Sequence, residues 1–126
     1  LESARFAADH ARDPGADPAA AVQLARTAAS QRPTVYAADI LAWALRQAGQ
    51  PAAARVESDR ALRLGTRDAT FHLHRSRIEA DLGNRSEAQR HLRTAIEINP
   101  ALGVRDRALA AGLATELRTP LPAMPR

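Results

Sequence analysis

Four histidines are the residues of this chain best suited to hold a metal or move a proton, and their spacing argues against both uses. His72 and His74 are two apart, which turns them to different faces of a helix, whereas a helical ligand pair needs a spacing of three or four. His10 and His91 stand in no ligand pattern. Asp9 beside His10, and Asp39 with His74 on neighbouring helices, could form polar pairs, and a hydrogen-bonded lock between helices is expected of them rather than general-base catalysis. No serine stands in a nucleophile-elbow pattern and no glycine-rich phosphate loop occurs. Cysteine is absent, which removes disulfides, thiol catalysis and cysteine-ligated metals. The residues read as those of a chain without catalytic site, metal or cofactor.

The arginines raise the question of nucleic acid. All 18 basic residues are arginine against 14 acidic ones, for a formal charge of +4. Arg55, Arg60, Arg63, Arg85, Arg90 and Arg93 alternate with Glu57, Asp59, Glu87 and Glu97. That interleaving describes a solvated face, not a stripe that tracks phosphates, and base-stacking aromatics are scarce. No apolar run reaches the length of a bilayer span, and no signal peptide opens the chain. The first residue is Leu1, so a part of a longer protein is expected, with any targeting signal upstream.

The elements that must position these side chains are helices. Alanine supplies 30 of 126 residues, while aromatic residues make up only 3%, a composition that favours helix over β sandwich or barrel. Cap and breaker residues place seven helices near 2–12, 18–31, 34–48, 51–64, 68–82, 85–98 and 104–118. Asp17-Pro18 and Gln50-Pro51 put proline in a first turn, and Asn84-Arg85-Ser86-Glu87 has the form of a capping box. The tail 119–126, with three prolines and a PxxP spacing from Pro122 to Pro125, is expected to be extended or disordered.

A 34-residue period runs through the middle of the chain. Gly49 falls on Gly83, Ala54 on Ala88, Ala61 on Ala95, Leu62 on Ile96 and Leu64 on Ile98. Glycine at the midpoint of each repeat ends one helix where positive φ is wanted, and a second helix follows at once. These residues resemble the tetratricopeptide repeat family. Leu41-Ala42, Leu45, Gly49, Ala54, Ala61 and Leu62 match one repeat, and Gly83, Ala88, Leu92, Ala95, Ile96 and Pro100 match the next. Ser76 takes a small-residue slot, and Arg75 departs from the pattern where leucine is usual. Residues 2–33 form a weaker first repeat, and "AADH", "YAADILAWAL" and "LHRSRIEADLG" are similar to the C-terminal ends of such proteins in actinobacteria.

The resemblance implies an all-α, right-handed solenoid of about three helical hairpins (2–33, 34–67, 68–101) with a capping helix over 104–118, together one domain. It also implies that the first helix of each hairpin lines a concave face. On the third helix, Leu41 lies about 200° from Trp43 at 100° per residue, while Tyr36, Ile40 and Gln47 lie within roughly 60° of it. If Leu41, Ala42 and Leu45 pack inward, then Tyr36, Asp39, Ile40, Trp43 and Gln47 form a strip on that face. The same register brings Phe6 and His10 from one side and Thr70, Leu73, His74 and Arg77 from the other, with Arg107 closing the far end. Such a surface fits a protein or peptide segment, or else the upstream repeats of the same protein that this piece would terminate.

Overall fold

Local signals decide where each helix of the computed structural model begins and ends, and the described residues, 1–122, contain seven helices and no strand. The helices are α1 (Glu2–Asp9), α2 (Pro18–Gln31), α3 (Val35–Gln47), α4 (Pro51–Leu62), α5 (Ala69–Asp81), α6 (Arg85–Ile98) and α7 (Val104–Leu117). Side-chain caps start three of them. Asp17 accepts from the backbone N–H groups of Ala19 and Ala20, Thr34 from that of Ala37, and Asp68 from those of Thr70 and Phe71. Proline opens α2 and α4, where its missing N–H leaves no helical bond unmade.

The same C-terminal turn closes α3 and α5. Gly49 and Gly83 take φ of +77° and +80°. In the first turn Gln50 N–H donates to Leu45 O and Gly49 N–H to Arg46 O; in the second Asn84 N–H donates to Glu79 O and Gly83 N–H to Ala80 O. Both are the Schellman arrangement, repeated 34 residues apart, and each turns the chain back within three residues into a helical hairpin.

Two expectations need correction. The first helix ends at Asp9 and not near 12; turns follow, with bonds from Asp13 N–H to His10 O and from Ala16 N–H to Asp13 O, where Asp13-Pro14-Gly15 cannot continue a helix. Asn84 makes no capping bond, because its side-chain amide donates instead to Glu79 Oε1 at 3.0 Å. Beyond α7, Thr119 is buried, its N–H donates to Ala114 O, and Leu121 packs against the core. The rest of the PxxP segment, 123–126, lies outside the described residues.

The helices divide between two compact units, Leu1–Thr66 and a second that begins at Arg67. In the first, α3 packs against α1, α2 and α4. In the second, α5 and α6 form a hairpin and α7 lies against both. Ala54, Ala61, Ala88 and Ala95 are all fully buried, small side chains that let the paired helix backbones approach. The core of the second unit joins Leu73 of α5, Leu92 and Ile96 of α6, Leu102, and Ala110, Leu113 and Leu117 of α7.

Candidate functional site

The eleven side chains expected to line a groove fall into both units and into three classes of exposure. In the first unit Phe6 is 66% exposed and Tyr36 46%, while His10 and Gln47 are half-buried. Asp39, Ile40 and Trp43 are buried, Trp43 to 8% exposure. In the second unit Leu73 and His74 are buried, and Arg77 and Arg107 are half-buried. The indole is therefore a packing group rather than an anchor held out to a ligand. The physical reason is that α3 is covered by three helices of its own unit, so all of Ala37 to Leu45 is buried. A register argument that reserves one face for solvent does not hold for a helix buried on every side.

Several of these side chains act as ties between helices. Gln47 Nε2 donates to Ala8 O at 3.4 Å, joining the end of α3 to α1. Arg46 Nη1 donates to Gln47 Oε1, and its guanidinium carbon lies 5.7 Å from the Trp43 ring centroid, within cation–π range. In the second unit both terminal nitrogens of Arg77 meet the Glu116 carboxylate, one at 2.9 Å, and Arg77 Nε donates to Asp81 Oδ1 at 3.1 Å. The hydrogen bond to Glu116 raises the Arg77 pKa above its ordinary value despite partial burial. Thr70 Oγ1 donates to Asp106 Oδ2 at 2.6 Å. Early residues of α5 thus meet early residues of α7 and late meet late, so the two helices run parallel. Two α6 side chains, Arg85 and Gln89, donate to Leu117 O at the end of α7.

At the end of α1, Phe6 and the C-cap residue His10 form a ring contact with centroids 4.2 Å apart, and His10 Nδ1 is 2.7 Å from Asp13 Oδ2. This edge combines an open aromatic face with a polar group on one turn of helix.

A polar cluster that spacing along the chain does not reveal lies between α5 and α6. His72 Nδ1 and His91 Nδ1 are 3.0 Å apart, and Arg90 Nη2 is 3.2 Å from His91 Nε2. Burial, then Arg90, lowers the pKa of both histidines, that of His91 to about 4. Next to them Arg75 pairs with buried Glu79, and buried Ser76 donates to Ala88 O at 2.7 Å. One signal was available: His91 lies between Ala88 and Ala95 on the packed face of α6, and His72 is one turn before Ser76 on the facing side of α5.

Among the described residues no group of three or more histidine, cysteine or carboxylate side chains is arranged to hold a metal ion, and no helix is long and apolar enough to cross a membrane. No protein-family model matches the chain, and no curated protein matches its sequence at a significant level.

Proposed function

We propose that the chain is a non-catalytic interaction module, built of tetratricopeptide-like hairpins in a right-handed solenoid, that binds a segment of another protein. The repeated Schellman turns at Gly49 and Gly83 and the buried alanine pairs support the hairpin reading. The polar clusters support a structural use of the ionisable groups, since Arg77, Asp106 and His91 are tied between helices.

The observation that carries the binding reading is Phe6, a large aromatic side chain two-thirds exposed on α1 and in contact with His10. Exposed aromatic side chains with a polar neighbour are the usual anchors of protein recognition. With Asp39, Ile40 and Trp43 buried and Gln47 tied to Ala8 O, the binding side chains of the first unit are Phe6, His10 and Tyr36. Displayed peptides selected on the native chain should lose binding to the Phe6→Ala/Tyr36→Ala variant while its melting temperature stays unchanged. Equal binding by both chains would overturn this assignment.

A second reading is an end-piece of a longer helical array, in which the edge of α1 carrying Phe6 docks a preceding hairpin of the same protein. The exposure of Phe6 favours it. A longer chain should then protect Phe6 from solvent and raise the melting temperature, and Phe6→Ala should remove that gain.

A further inference from the structure

The contact between His72 and His91 has a fixed proton order. Arg90 can only donate hydrogen bonds, so His91 Nε2, 3.2 Å from Arg90 Nη2, carries a lone pair. Neutral His91 then holds its proton on Nδ1 and donates it to His72 Nδ1 at 3.0 Å. His72 keeps its own proton on Nε2. The ring centroids are 5.2 Å apart and the planes 26° from parallel. That separation exceeds the nitrogen gap by about two ring radii, so the two Nδ1 atoms face each other head on, as a good hydrogen bond requires. Both lone pairs in the pair are therefore already in use.

We propose that this pair is an acid-opened latch between α5 and α6. With both rings neutral it ties the hairpin; an entering proton must either break the His91 bond to His72 or, by transfer within the pair, turn an N–H of His91 against the Arg90 guanidinium, and in either case it sets a buried charge beside Arg90 that weakens the tie. The charged groups facing it are Arg67, Asp68 and Arg75 on α5 and its approach, and Glu87 and Arg90 on α6. Three guanidiniums oppose two carboxylates, and Glu87 is already engaged by Arg90 at 2.7 Å. Burial of His91 adds to the cost of a charge. The same field disfavours a bridging metal cation. Because the folded-state values lie below the ordinary 6.5, the stabilisation is complete above pH 6.5 and is lost as pH falls towards about 4.

Imidazole 15N shifts and amide hydrogen exchange between pH 7.5 and 4.0 test the latch in the native chain. At pH 7.5 His91 should show the Nδ1–H tautomer and His72 the Nε2–H tautomer; His91 should remain neutral at pH 6, and His72 should titrate below the ordinary 6.5. Protection of the α5 and α6 amides, corrected for intrinsic rates, should fall roughly 20-fold from pH 7.5 to 5.0, and by less in α3 and α4, which contain no histidine. A His72→Asn/His91→Asn variant, which keeps a hydrogen-bonding pair without a titrating one, should show no such fall. Titration of either ring at 6.5 or above, the opposite tautomers, or an equal loss of protection in α3 and α4 would each overturn the proposal, and all three are read on the native chain.

Discussion

Arg75 and Glu79, one turn apart on α5, form an ion pair at 3.2 Å with side chains only 8% and 0% exposed. The carboxylate is engaged twice, because Glu79 Oε1 also accepts from Asn84 Nδ2, and the Glu79 carbonyl accepts from Asn84 N–H across the turn. The charged residue that departs from the hydrophobic repeat pattern is thus matched by a carboxylate four residues on. Removing one partner leaves a buried charge uncompensated, which costs about 3–5 kcal/mol. Glu79→Ala should lower the urea midpoint accordingly. Replacing both residues with apolar side chains of similar volume should recover most of the loss, and a double variant as unstable as Glu79→Ala would contradict the pairing.

The turns at Gly49 and Gly83 make a matched pair of tests. A Cβ added at either position would meet nothing within 4 Å, so the cost of alanine there is one of backbone alone. The left-handed conformation costs an L residue roughly 1–2 kcal/mol. Gly49→Ala and Gly83→Ala should each lose about that much in denaturant melts, and asparagine should lose less at both sites, since it tolerates the left-handed region. A loss well above this range would point to a clash that the geometry does not contain.

Those glycines, with the capping Asp17, Thr34 and Asp68 and the prolines 18 and 51, explain why the helices were legible in the sequence: each boundary is set by residues within a turn of it. What was not legible depends on neighbours distant in sequence. "YAADILAWAL" alternates as a half-exposed helix would, yet α1, α2 and α4 cover it. His72 and His91 lie 19 residues apart on different helices, so no ligand or pairing rule based on one helix finds them. Asn84 has the right spacing for a cap, but Glu79, held close by the Schellman turn, offers its amide an ionised acceptor instead.

Burial of Trp43 gives a direct optical test. The single indole of the chain is 8% exposed, with the Arg46 guanidinium over its ring. Its emission should be blue-shifted relative to a free indole and little quenched by acrylamide, and unfolding should reverse both. Trp43→Ala should cost about 3–5 kcal/mol as a large-to-small core change. Tyr36→Ala, at a site 46% exposed on the same helix, should stay within about 0.5 kcal/mol of the native chain. Strong quenching of native Trp43 would restore the exposed assignment.

The last helix depends on two polar ties to α5, Thr70 to Asp106 near one end and Arg77 to Glu116 near the other. The Arg77 pair is bidentate, and its arginine side chain is 15% exposed, but the Glu116 side chain is half in solvent at 51%. Solvent therefore screens the pair, and a double-mutant cycle of Arg77→Ala and Glu116→Ala should give a coupling of about 1 kcal/mol or less, weaker at high salt. The Thr70 bond is neutral on its donor side and should respond less to salt: Thr70→Val should cost about 1 kcal/mol at both low and high ionic strength. Hydrogen exchange separates the two ties by place, since loss of the Glu116 pair should expose amides in the last turns of α7 and loss of the Asp106 bond those that follow its first turn. Uniform exchange along α7 in both variants would mean that its apolar contacts through Leu113 and Leu117, and not these ties, set its local stability.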